Sequence, residues 1–219
     1  MKNDNGFARQ QMIEQQLRAW DVFDPRVLCA FDELPREDFV PAHFRGTAFA
    51  DTAVPLGHGE SMMSPSVEGR LLQALALQPT DRVLEIGTGS GWLTALLATL
   101  AADVYSIDRV EAFEAAARGR LATAGVTNAT VETRDALTLD GDARRFDAIA
   151  VTGSMPVYTP LFEPLLNPGG RLFVIVGDGP AMDARLVTKA DAGASAATSL
   201  FETVVTPLHG FARKTRFAF

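Results

Sequence analysis

The sequence predicts an α/β fold: a doubly wound, mostly parallel sheet with an N-terminal helical cap and a C-terminal antiparallel strand pair. Three observations lead there. The apolar run Val83-Leu84-Glu85-Ile86 breaks into the alternating glycines Gly87, Gly89 and Gly91 and then into a helical stretch, as a buried parallel strand does when it turns tightly into a helix. Strand-like and helix-like segments alternate with short connections from Val83 to Val176, which implies the crossover units of a parallel sheet. Glu85, Asp108, Asp135 and Thr152 each fall at the carboxyl end of one of these strands, the edge where open α/β sheets bind their ligands.

Composition supports a core of that size. The 219 residues are 47% hydrophobic, ample for one α/β unit over 1–219, with 1–78 as cap and substrate loop and 79–219 as the ligand-binding core. A formal net charge of -7 offers no basic footprint for a phosphate backbone, so a small molecule or peptide is expected as partner rather than nucleic acid. Met1 to Gln15 is polar and no apolar run reaches membrane-spanning length, so a cytoplasmic protein without membrane contact is expected. Cys29 is the single cysteine, which leaves no internal disulfide and no thiolate cluster. Three histidines, none at ligand spacing with acids, argue against a catalytic metal. The oligomeric state has no signature in the chain.

Each element has its own signal. Ile13, Leu17 and Trp20 recur at helical spacing and predict an amphipathic helix over Ala8 to Trp20. Asp24-Pro25 is an N-cap followed by proline at the first helical position, with Val27, Phe31 and Leu34 on one face and Pro35 as the stop. Phe44 to Pro65 is too polar and glycine-rich for a core element, and its place just ahead of the glycine turn suits a substrate loop. Ser64-Pro65 repeats the cap signature before a helix striped by Val67, Leu71 and Leu75. Beyond the turn, Leu93 to Leu100 is helical and Val104 to Asp108 is the second strand. Phe113, Ala117 and Leu121 stripe the next helix, which Gly125 closes. Ala129 to Thr133 and Phe146 to Thr152 are the third and fourth strands, Thr159-Pro160 caps a short helix, and Arg171 to Val176 is the fifth strand. Leu186 to Thr188 and Phe201 to Val205 supply the antiparallel pair, with Ala190 to Ser199 as an exposed connection. Ala212 to Phe219 carries no assigned element.

The glycine spacing separates two cofactor classes. A dinucleotide site needs G-x-G-x-x-G, whose third glycine would fall at position 92, where Trp92 stands. An acid followed by G-x-G-x-G resembles instead the first motif of the class I S-adenosylmethionine (SAM) methyltransferases. That resemblance implies a Rossmann-like fold with SAM as cofactor. Its site would comprise Glu85 near the methionine amine, the turn residues Gly87, Thr88, Gly89, Ser90 and Gly91, Asp108 with Arg109 at the ribose, Asp135 with Ala136 at the adenine, and Thr152 at the next strand end. Asp108 also reads as a helix N-terminal acid, and Asp135 as a plain turn residue.

Five segments together extend the likeness: Ala8-Arg9-Gln10-Gln11-Met12-Ile13, Leu34 to Pro41, Pro55-Leu56-Gly57-His58-Gly59, Val83 to Trp92, and Pro168-Gly169-Gly170-Arg171-Leu172. Through them most of the chain resembles the protein-L-isoaspartate O-methyltransferases. In that family the loop ahead of the cofactor unit reads P-[IL]-G-x-G-Q-T-I-S-x-P, and its serine helps hold the isoaspartyl carboxylate. Here the loop continues Glu60-Ser61-Met62-Met63-Ser64-Pro65, so Met63 takes the place of that serine. The implied reaction carries a methyl group from SAM to the carboxylate of L-isoaspartyl residues in damaged proteins or peptides. No general base is needed, because a carboxylate is already ionised at neutral pH.

Side chains alternate along an extended stretch, which makes Ser61 the nearest replacement donor. Ser61, Met63 and His58 form the candidate acceptor site, where His58 also reads as a residue that only positions the loop. Two other functions stay open: methyl transfer to a different acceptor, and a non-catalytic module that holds SAM or an altered peptide.

Overall fold

The structure is a computed structural model and describes residues 2–190 and 194–211, so the tail from Ala212 to Phe219 lies outside it. Helix α1 (Lys2–Met12) runs on through one π turn (Ile13–Leu17) and a 3-10 turn (Arg18–Trp20) before Asp21 reverses the chain at φ 59°. Ile13 and Leu17 are buried as their spacing requires. The wider turn breaks the periodicity that a uniform helix would give, so Trp20 leaves the core line and rests edge-on against Phe201.

Helix α2 (Pro25–Glu33) starts as its sequence dictates, with the Asp24 carboxylate accepting the Arg26 N–H at 2.8 Å. A short helix α3 (Arg36–Phe39) follows. The stretch expected to be irregular contains a hairpin of β1 (Val54–Gly57) and β2 (Glu60–Met62). Its two turn residues, His58 and Gly59, sit at φ 55° and 81°, as the mirror-image turn favoured in tight hairpins requires. Helix α4 (Pro65–Leu75) begins just after Ser64, but the Ser64 hydroxyl pairs with that of Ser66 at 3.1 Å instead of capping the helix. The cap comes from outside: the Asp51 carboxylate accepts the Ser66 N–H at 3.1 Å.

The central sheet holds β3 (Arg82–Ile86), β4 (Asp103–Asp108), β5 (Ala129–Thr133), β6 (Phe146–Met155), β7 (Leu166–Val176), β8 (Met182–Lys189) and β9 (Ser195–Thr203). Its order is β5-β4-β3-β6-β7-β8-β9, parallel as far as β7, with β8 and β9 added antiparallel. Helix α5 (Trp92–Leu100) joins β3 to β4, and α6 (Glu111–Thr123) joins β4 to β5. Helix α5 is apolar almost all round because it is covered on both sides. The sheet lies beneath it, while Phe31 of α2 and Phe39 of α3 meet Trp92 edge-on at 5.8 and 5.5 Å.

Two expectations are corrected at the sheet's far end. Ser195 to Ser199 is exposed but is not a connection, since it pairs with β8 as part of the edge strand β9. Backbone pairing at an exposed edge leaves no hydrophobic period in the side chains. Thr159 precedes a 3-10 turn (Pro160–Leu165), yet its hydroxyl turns to the Met155 sulfur at 3.9 Å rather than to the helix. Among the described residues, no helix is long and apolar enough to cross a membrane.

Candidate active site

The parallel sheet reverses its winding at β3, whose neighbours are β4 on one side and β6 on the other, and such a switch point opens a crevice beyond the strand ends. The glycine turn forms its floor. The N–H groups of Gly87 and Thr88 both donate to the Ile107 carbonyl, at 2.8 and 3.2 Å. Thr152 lies across the turn, and its hydroxyl donates to the carbonyls of Ile86 at 2.9 Å and Gly87 at 3.0 Å. Gly87 has φ +100°, and a Cβ there would come 2.1 Å from the Thr152 Oγ1, so both conformation and space demand glycine. Gly91 serves a different purpose: its Cβ would meet that of Ala117 at 3.0 Å, which marks the close approach of α5 to α6.

Above this floor lies a cleft. The structure brings Gly87, Gly89, Asp108, Arg109, Asp135, Ala136 and Thr152 together around it, with Leu56 and Ser61 from the hairpin on the opposite side. A narrower crevice continues behind the turn, where Thr88, Ser90 and Met63 join Ser61, Gly87 and Gly89.

Asp108 has the geometry of a helix N-terminal acid and also lines the cleft. Its Oδ2 accepts the Gly89 N–H at 2.9 Å and its Oδ1 accepts the Val110 N–H at 2.9 Å, so it braces the glycine turn and the start of α6 while still lining the cleft. Asp135 likewise accepts the Leu137 N–H at 2.9 Å, capping the 3-10 turn Ala136–Leu139, and also lines the cleft. In the crevice, the Ser90 hydroxyl accepts the Trp92 N–H at 3.3 Å and braces the first turn of α5.

Glu85 lines neither the cleft nor the crevice. It is fully buried beneath α5, on the same face of β3 as Val83, and its Oε2 accepts hydrogen bonds from the hydroxyls of Thr94 and Ser106. Thr88 pairs with Ser106 and is tied to the same network. Burial raises the Glu85 carboxyl from its ordinary 4.5 to about 8.

His58 stands at the exposed tip of the hairpin with its ring edge-on to Phe113, 5.5 Å between centroids, and does not line the cleft. That is the loop-positioning geometry. Met63 is 7% exposed, and its carbonyl accepts a hydrogen bond from Arg36 Nη2 at 3.0 Å. Ser61 faces the cleft, its hydroxyl 3.0 Å from that of Thr206.

The segment from Thr206 to Phe211 supplies the far wall and had no signal in the sequence, because it follows the last strand without any period. Backbone bonds hold it to β6, from the Ser154 N–H to the Thr206 carbonyl at 3.0 Å and from the Leu208 N–H to the Ser154 carbonyl at 2.8 Å. A second tie runs from His209 Nε2 to Glu60 Oε1 at 2.9 Å. Glu68 of α4, buried in the crevice wall, was also missed. Its signal was present: Glu68 stands four residues before Leu72 and seven before Leu75, on the apolar stripe itself.

A doubly wound sheet with a glycine turn at its switch point, acids at the ends of the next two strands and Trp92 in place of a third glycine defines a class I methyltransferase fold. The chain belongs to the protein-L-isoaspartate(D-aspartate) O-methyltransferase family, whose profile matches residues 8–212. The protein-L-isoaspartate O-methyltransferase of Koribacter versatilis (strain Ellin345) is 39% identical over 207 residues, 94% of this chain and 93% of that protein. The protein of the same name from Roseiflexus castenholzii is 42% identical over 170 residues, covering 77% of each. A Plasmodium falciparum structure described as a protein-L-isoaspartate O-methyltransferase in complex with S-adenosyl-L-homocysteine shares the fold. Its TM-score is 0.80 at 19% identity, covering 91% of this chain and 97% of that one.

Proposed function

We propose that this chain transfers a methyl group from SAM to the carboxylate of L-isoaspartyl residues in damaged proteins or peptides. The observation that carries this reading is the convergence, in a member of a family named for the reaction, of the glycine turn and the Ser61–Thr206 hydroxyl pair on one cleft. The residues fit the cofactor. Gly87 and Gly89 carry no side chain where a ligand must approach the backbone, and the carboxylates of Asp108 and Asp135 are acceptors for ribose hydroxyls and an adenine amino group.

SAM bound there supplies a methyl group on a sulfonium, which passes to a carboxylate oxygen while the carbon–sulfur electron pair stays with sulfur. The remaining work is orientation. Thr152 spends its proton on two carbonyls, whereas Ser61 and Thr206 bond to each other and can turn both hydroxyls toward an arriving carboxylate. Neutral donors suit this acceptor. A guanidinium would stabilise the carboxylate charge most before attack, when that charge is full, and so would raise the barrier.

Met63 supports a second reading, a different methyl acceptor, because a buried thioether is a weak hydrogen-bond partner at the position of the family's serine. A cytoplasmic setting accords with either reading, since a chain with one cysteine draws nothing from an oxidising compartment. The test is formation of S-adenosylhomocysteine from SAM with an isoaspartyl peptide and with its aspartyl counterpart. Turnover with the isoaspartyl peptide alone is expected. SAM binding without turnover on either peptide rejects the first reading.

A further inference from the structure

We propose that Glu68 is the anionic anchor for the α-ammonium group of the cofactor's methionine end. This rests on the SAM site proposed above and assigns one contact within it. The acid that the glycine motif offers for that contact, Glu85, lies beneath α5 with its Oε2 taken by hydroxyls and its Oε1 buried without a partner, and it lines neither the cleft nor the crevice. Glu68 instead lines the crevice directly beside Gly87, Thr88, Gly89 and Ser90.

Its carboxylate is held for such a task. Arg36 Nη1 and Trp92 Nε1, the latter at 2.9 Å, both donate to Oε2, which leaves Oε1 without a partner among the described residues. Arg36 has no further freedom, because its Nε donates to the Ala48 carbonyl and its Nη2 to the Met63 carbonyl, both at 3.0 Å. A 2% exposed acid is thus fixed through one oxygen, while the other, unlike the sealed Oε1 of Glu85, stays open to a donor arriving in the crevice that Glu68 lines. The crevice hydroxyl of Thr88 is already committed to Ser106. An ammonium brings both the N–H donors and the positive charge that a carboxylate in this position favours. Trp92, the first residue of α5, makes the arrangement self-consistent: the side chain that replaces the dinucleotide glycine also orients the acid.

The test uses calorimetry with two probes, S-adenosylhomocysteine and its deamino analogue, in which hydrogen replaces the amine. The parent protein should bind S-adenosylhomocysteine about tenfold to a hundredfold more tightly than the analogue, the range for one hydrogen bond to a charged group. Glu68→Gln should abolish that preference while leaving affinity for the analogue unchanged. Glu68→Asp keeps a charge beside Arg36, guards against a folding defect, and should prefer the amine less than the parent does. A variant that loses affinity for both probes by one factor, keeping the preference, shows a merely structural acid and overturns the proposal. Equal binding of the two probes by the parent overturns it as well. If the parent binds neither probe, the cofactor reading itself falls, an outcome distinct from the other two.

Discussion

Asp108 performs two tasks with one carboxylate, since it accepts N–H groups from Gly89 and Val110 and still faces the cleft. Asp108→Asn keeps the shape but turns an amide N–H toward one of those donors and removes the charge from the proposed ribose site. Affinity for S-adenosylhomocysteine should fall at least tenfold, matching about 1.5–3 kcal/mol for a hydrogen bond to a charged group. Unchanged affinity by calorimetry would remove Asp108 from the site. Met63 tests the acceptor side. Met63→Ser restores the family's hydroxyl beside Ser61, but it also empties a buried thioether position, at a cost of about 2–5 kcal/mol if the site does not collapse. A lower melting temperature should therefore accompany a single-turnover rate on an isoaspartyl peptide raised about tenfold to a hundredfold, the effect of roughly 1.4–2.7 kcal/mol in the transition state. Ser61→Ala should lower the same rate. A stable, SAM-binding Met63→Ser protein with no gain in rate would favour a different acceptor.

At the scale of elements, the site is a meeting of three pieces remote in sequence: the turn after β3, the hairpin of β1 and β2, and the segment from Thr206 to Phe211. Each piece is held by bonds that do not depend on a ligand. Thr152 locks the turn, the mirror-image hairpin turn sets His58 on Phe113, and β6 carries the C-terminal segment through Ser154. The turn is the least tolerant of change. Gly87→Ala places a methyl group in the space of the Thr152 hydroxyl and also strains a positive φ, so cofactor binding should be lost while far-ultraviolet circular dichroism stays nearly that of the parent. Retained binding of S-adenosylhomocysteine in that variant would show that the turn tolerates displacement.

Across the whole molecule, burial of acids ties stability to pH. The folded protein holds the Glu85 carboxyl near 8 and the Glu68 carboxyl near 7, both above their ordinary 4.5. A raised carboxyl binds its proton more tightly when folded. Its contribution is complete below about 4.5 and is lost as pH climbs through the folded value. Urea unfolding should show the parent losing stability relative to Glu85→Gln between pH 5 and pH 9, whereas parallel profiles would mean that Glu85 stays ionised in the fold.

The same burial marks where sequence reading ends. The chain alone determined the strands from Val83 to Thr133 and their glycine turn, because apolar period, caps and glycine spacing are local properties. It also placed Asp108, Asp135 and Thr152 at one edge, since parallel crossovers bring all carboxyl strand ends to the same side. Which acid lines the crevice was decided only by tertiary packing. Helix α5 covers Glu85, whose carboxylate meets Thr94 and Ser106, and Glu68 is held at the crevice by Arg36, 32 residues away in the chain. The wall from Thr206 to Phe211 and the Asp51 cap on α4 were decided in the same way, as contacts between distant segments have no periodicity for a sequence to display.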